Sequence, residues 1–87
     1  MYTVYILYSH RLDTYYIGVT TDVQGRLRRH LSSRKGFTSR AKDWIVMYTE
    51  TYKEKNQAYA REKEIKKWKS RRLIEHLISS TASEHPD

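Results

Sequence analysis

Two short runs decide how this chain folds: Thr3-Val4-Tyr5-Ile6-Leu7-Tyr8 and Tyr15-Tyr16-Ile17-Gly18-Val19-Thr20. Both are dense in β-branched and aromatic residues, which suit a pleated, half-buried strand. The stretch Ser9–Thr14 between them, with His10, Arg11 and Asp13, reads as a turn, so the two strands form a hairpin. Gly18 stands inside the second run, where a glycine marks a bulge or the close approach of another group. A third run, Trp44-Ile45-Val46-Met47-Tyr48-Thr49, reads as a third strand. Between hairpin and third strand, Thr21–Leu31 reads as a helix, with Thr21 and Gln24 at the spacing of a capping box. Ser32–Arg40 is a Ser/Gly/basic loop, and about Asn56–Ser79 reads as helix broken near Ser70. The expectation is a small α/β (α+β) domain over residues 1–78. It has a three-stranded, mainly antiparallel sheet flanked by helices in the order β-β-α-β-α-α. Residues 79–87, small and polar, are expected to form a flexible tail.

At 87 residues the chain has room for one small core and no separate cofactor domain. It contains no cysteine, which excludes a disulfide scaffold and any thiolate nucleophile or metal site. No apolar run approaches the roughly 18 residues of a membrane span, and a cytoplasmic protein is the simplest expectation. The net charge is +7, from 17 Lys+Arg against 10 Asp+Glu, and such a surface favours polyanions. That charge is concentrated. Residues 22–42 hold seven basic residues against Asp22 alone, and residues 55–76 hold eight basic against three acidic. The blocks expected to form sheet are nearly neutral.

Several polar residues fall where the helical period calls for apolar ones. Val23, Leu27 and Leu31 mark the inner stripe of the first helix, and His30 lies on that stripe seven residues after Val23. Arg26 sits at its edge, one turn before His30. In the second helix Glu62 shares a side with Ala58, Tyr59 and Ile65. Ordinary explanations exist for each: a hydrogen-bonded core histidine, a snorkelling arginine, and an ion pair from Glu62 to Lys66 at i+4. Together with Tyr5 and Tyr16 they form a set suited to phosphodiester cleavage. One carboxylate can hold a hydrated divalent ion, an arginine can stabilise phosphorane charge, and Tyr or His can orient or deprotonate water. Trp44 and Trp68 read as core rather than as base-stacking platforms.

These residues resemble the GIY-YIG nuclease superfamily, and most of all its small stand-alone bacterial members. The resemblance is carried by Val4–Ser9 (V-Y-I-L-Y-S), Tyr15–Thr20 (Y-Y-I-G-x-T) and Arg61–Lys69 (R-E-K-E-I-K-K-W-K), and it runs from about Tyr2 to Ile78. The first half-motif departs from the pattern, reading Thr-Val-Tyr where the family has Gly-Ile-Tyr. The superfamily also includes an excinuclease nuclease domain, to which the chain is similar in the same way.

The resemblance implies catalytic roles for Tyr5, Tyr16, Arg26 and His30, with either tyrosine as general base. It implies Glu62 as the ligand of one Mg²⁺ or Mn²⁺ ion and Gly18 as the residue that keeps the site uncrowded. It further implies a metal-dependent endonuclease, structure-specific in DNA repair or recombination, with DNA a better expected partner than RNA and no organic cofactor; no membrane partner is expected, since the basic helices lack the Trp/Phe/Leu-rich face of interfacial binding. Arg28, Arg29, Arg34, Lys35, Arg40, Lys66 and Lys69 are the candidates for holding flanking phosphates. A non-catalytic nucleic-acid-binding module on the same fold is the alternative, and a small basic protein of an RNA assembly fits the composition equally well.

Overall fold

The computed structural model describes residues 1–83. The elements run β1 (Tyr2–Ser9), β2 (Thr14–Thr20), α1 (Val23–Ser32), a 3-10 turn (Phe37–Arg40), β3 (Ile45–Tyr52), α2 (Lys55–Trp68) and α3 (Arg71–Ser83). The sheet has the order β2-β1-β3 and is antiparallel throughout. The expected α+β class and element order are therefore those observed.

β1 is the central strand, and its alternation builds both halves of the core. Val4 and Ile6 face one side and pack with Ile17, with Ala58 and Ile65 of α2, and with Ile74 of α3. Tyr5 and Leu7 face the other side and pack with Ala41 and Trp44, with Tyr16, Leu27 and Leu31 against them. Helices thus cover both faces of a three-stranded sheet, which lets a short chain bury most of its central strand.

Several boundaries differ from expectation for local reasons. α1 starts at Val23, and its cap is Asp22 rather than the Thr21–Gln24 box: Asp22 Oδ1 accepts from the Gly25 N–H at 3.1 Å. The Thr20 hydroxyl accepts in turn from the Asp22 N–H at 3.0 Å, fixing the exit from β2. β3 starts one residue later than expected and continues to Tyr52. Its extension is masked in sequence by Glu50, a carboxylate in the strand that the fold neutralises. Arg61 grips it with Nε on Oε1 and Nη2 on Oε2, each at 3.0 Å, and the hydroxyls of Tyr52 (2.6 Å) and Tyr48 also donate to it. Met47 is an extra residue in the pairing of β3 with β1, since Ile6 faces Tyr48 and Leu7 faces Val46.

The expected break near Ser70 is present. Lys69 ends α2 in the left-handed region at φ 47°, and the Ser70 hydroxyl accepts from the Leu73 N–H at 3.2 Å to open α3. α3 continues through Ser83, so residues 79–83 of the expected tail are helical, and residues 84–87 lie outside the described residues. Among the described residues no helix is long and apolar enough to cross a membrane.

Ile65 is fully buried and pins α2 to the sheet. Ile65→Ala is expected to lower the unfolding free energy by about 2–5 kcal/mol, the usual range for an aliphatic core truncation, as read from urea denaturation.

Candidate active site

The site on the α1 side of the sheet starts from one close approach. Tyr5 on β1 faces Gly18 on β2, and a Cβ placed on Gly18 would lie 2.6 Å from Tyr5 Cζ. The missing side chain is what lets the Tyr5 ring lie across the neighbouring strand, where it is 2% exposed. The ring's hydroxyl reaches α1. Tyr5 Oη lies 2.9 Å from Nε2 of the buried His30, and His30 Nδ1 lies 2.9 Å from Thr38 Oγ1. The Thr38 carbonyl accepts from the Trp44 indole N–H at 2.9 Å. A hydrogen-bonded chain thus runs from the central strand through α1 to the 3-10 turn and ends on a core tryptophan.

Tyr16 and Arg26 flank that chain. The Tyr16 ring meets His30 edge-on at 4.9 Å between centroids and lies 6.5 Å from the Tyr5 ring. Arg26, half-buried, lies one helical turn before His30, and its charge acts on the Tyr5 phenol. Arg26 is also open to solvent on one side, where it lines a depression of about 270 Å³ with Arg29, Thr20, Thr21, Asp22 and Gly25.

Burial sets the protonation states. It pushes the Tyr5 phenol up to about 12, reinforced by Tyr16 and by the Glu62 charge and opposed by Arg26. Burial, followed by the Arg26 charge, depresses His30 below the ordinary 6.5. At neutral pH Tyr5 is therefore a phenol and His30 a neutral imidazole with one donor and one acceptor. A Tyr5 O–H donating to Nε2 and an Nδ1–H donating to Thr38 satisfy every group in the chain.

Glu62 comes from α2, whose apolar side packs on the opposite face, yet its charge is felt at the Tyr5 phenol. Its side chain is 16% exposed and pairs with Lys66 Nζ at 2.9 Å, so the ordinary i+4 ion pair is present as well. Tyr59, expected on the same inner side, is exposed. Among the described residues no group of three or more His, Cys, Asp or Glu is placed to hold a metal. The donor set is a single carboxylate. That fits a divalent ion that keeps most of its water and shares a phosphate, and it does not fit an all-protein cage.

The seven basic residues expected to contact phosphate, Arg28, Arg29, Arg34, Lys35, Arg40, Lys66 and Lys69, are all exposed. Two neighbours of the site had no sequence signal of their own. Thr38 reads as an ordinary loop threonine, and Phe37 as an isolated apolar residue in a basic loop. The signal available was Gly36, whose φ of 84° favours a residue without Cβ and turns the chain into Phe37–Arg40.

The model of the GIY-YIG catalytic domain matches residues 1–75. The chain belongs to the GIY-YIG family. It is similar to a UPF0213 protein of Bacillus halodurans solved by solution NMR, with 33% identity and a TM-score of 0.56 over 91% of this chain and 84% of that one. No curated protein matches the chain at a significant level. GIY-YIG domains form a nuclease family that acts on nucleic acid and generally uses a divalent metal ion. In this GIY-YIG chain the two half-motif tyrosines, Tyr5 and Tyr16, stand on paired strands with the motif glycine beneath the first.

A depressed His30 binds its proton less readily in the folded chain than in the unfolded one. Its contribution to stability is therefore complete above about pH 6.5 and is lost as pH falls from there through the folded value. The ring is expected to titrate below 6.5 in an NMR pH series, and Thr38→Val, which removes its Nδ1 partner, is expected to move that titration. Titration at or above 6.5 would contradict the buried, neutral state.

Proposed function

We propose that this GIY-YIG protein is a metal-dependent DNA endonuclease whose active site is formed by Tyr5, Tyr16, Arg26, His30 and Glu62. The observation that carries the reading is the buried chain Tyr5–His30–Thr38, with Tyr16 and Arg26 beside it and the Glu62 charge acting on the same phenol. A purely structural set would not need a guanidinium set at the solvent-accessible edge of a buried imidazole and phenol.

The protonation states support a division of roles. Hydrolysis forms a bond from water to phosphorus and breaks the bond to the 3′ oxygen. The water must lose a proton in the process. Tyr5, raised to about 12, is a poor base at neutral pH, whereas neutral His30 is a competent acceptor. Tyr5 therefore positions the water and passes its own proton to His30 Nε2 as it receives one. Tyr16 orients the phosphate from the other strand. Arg26 stabilises the charge that develops on the phosphoryl oxygens. Glu62 is the residue that would hold the divalent ion, Mg²⁺ in the simplest case, which when bound supplies positive charge at the phosphate and the leaving oxygen. The exposed basic residues of the two blocks hold the flanking backbone, and a substrate with branched or interrupted duplex would place the protein in DNA repair or recombination.

The Glu62–Lys66 pair favours a second reading, a nucleic-acid-binding module without chemistry, because the carboxylate already has a partner. Nicking of duplex, flapped and branched DNA in Mg²⁺ separates the two. Glu62→Gln is expected to abolish cleavage while leaving the fold intact, and Arg26→Ala to slow it about 10²–10³-fold. Glu62→Gln cutting at the wild-type rate would remove the residue from the site.

A further inference from the structure

We propose that Phe37 and Arg40 form a stacking platform for one unpaired nucleobase next to the scissile phosphate, so that the substrate is DNA with an unstacked nucleotide. The inference rests on the nuclease reading of the site and deepens it. Phe37 is the sole phenylalanine of the chain, and it stands in the basic loop at 43% exposure, where solvation would favour any polar residue. It is held in place from below. Its ring lies nearly parallel to that of Tyr16, at 15° and 6.4 Å between centroids, and 6.1 Å from the buried Trp44. The adjoining Thr38 is fixed by both His30 and Trp44. Gly36 turns the chain so that the following residues coil into a single short turn. Tyr16 and Trp44 thus lie against the ring while much of it stays open to solvent.

Arg40 lies over the same ring, its guanidinium carbon 5.6 Å from the centroid. An exposed aromatic beside a planar cation is the pair that binds a base without reading its identity: the ring takes the base face and the guanidinium takes a second face or the adjacent phosphate. Arg34 and Lys35 lie just before it in the loop, exposed and unmatched in charge by any acidic residue between Val23 and Lys42. Because Phe37 stacks on Tyr16, a base seated there is one nucleotide step from the proposed phosphate position. In a paired duplex each base is covered by its neighbours and cannot offer a face to the ring. The platform therefore selects flaps, gaps, branch points or single strands over continuous duplex.

Fluorescence titration tests this without requiring cleavage. The wild-type chain is titrated, in Ca²⁺, with a flapped duplex carrying 2-aminopurine at the unpaired position, with the same flap carrying an abasic residue there, and with the fully paired duplex. Stacking on Phe37 predicts quenching of the unpaired 2-aminopurine. It also predicts an affinity about 5- to 150-fold weaker for the abasic flap, the range of base–aromatic stacking. Phe37→Ala is expected to weaken binding of the base-bearing flap by a similar factor, with no further loss on the abasic one, and Phe37→Trp to restore it. The abasic comparison uses the unaltered chain and so stands even if Phe37→Ala folds poorly. Equal affinity of the wild type for base-bearing and abasic flaps, with cleavage retained, would overturn the platform and leave the nuclease reading standing. A wild type that neither binds nor cuts any of the three would overturn both.

Discussion

The Tyr5 ring can lie across β2 only because residue 18 has no side chain, and the rest of the site follows from that contact. With the ring down against the sheet, its hydroxyl projects toward α1 at the height of His30. A ring forced upward by a Cβ would break the hydrogen bond to His30 and expose the aromatic edge that the core now covers. The same contact explains the energetics: a phenol pressed between strand and helix is desolvated, which raises its pKa, and its imidazole partner is desolvated with it. The protonation states on which the proposed water activation rests are thus consequences of packing.

The architecture divides labour between the two faces of the sheet. The face covered by α2 and α3 is aliphatic and holds the fold together through Val4, Ile6, Ile17, Ala58 and Ile65. The face covered by α1 and the 3-10 turn is aromatic and polar and is proposed to do the chemistry. A central strand shared by both faces lets 87 residues carry a core and a site at once. Glu62 bridges this division, since it extends from a helix of the structural face and still acts on Tyr5. Its ion pair with Lys66 holds the carboxylate in place at a helix surface, and a divalent ion bound there would take the place of the lysine.

Much of this was legible in sequence. The β-rich runs at Thr3–Tyr8 and Tyr15–Thr20 marked the hairpin because their composition is a local signal, and Gly18 marked a bulge or a close approach, which the Tyr5 ring resolves as the latter. His30 and Arg26 were visible as violations of a helical stripe. What was not legible depended on partners far away in the chain. Glu50 looks like the end of β3 until Arg61, eleven residues on, neutralises it. Thr38 has no pattern of its own, and its importance appears only when α1 and Trp44 are in place around it. Asp22 outcompeted Thr21 for the cap of α1 because Thr20 already fixes the backbone at that corner, a choice made by hydrogen bonds rather than by motif.

The central claim is that neutral His30, linked through Tyr5, accepts the proton of the attacking water. The most direct measurement compares two titrations on one protein: the pH dependence of single-turnover DNA cleavage, and the NMR titration of the His30 ring. The account predicts that cleavage is lost as pH falls, with an acid limb whose midpoint lies below 6.5 and coincides with the His30 titration. A rate that stays constant through the pH range in which His30 takes up its proton would contradict it.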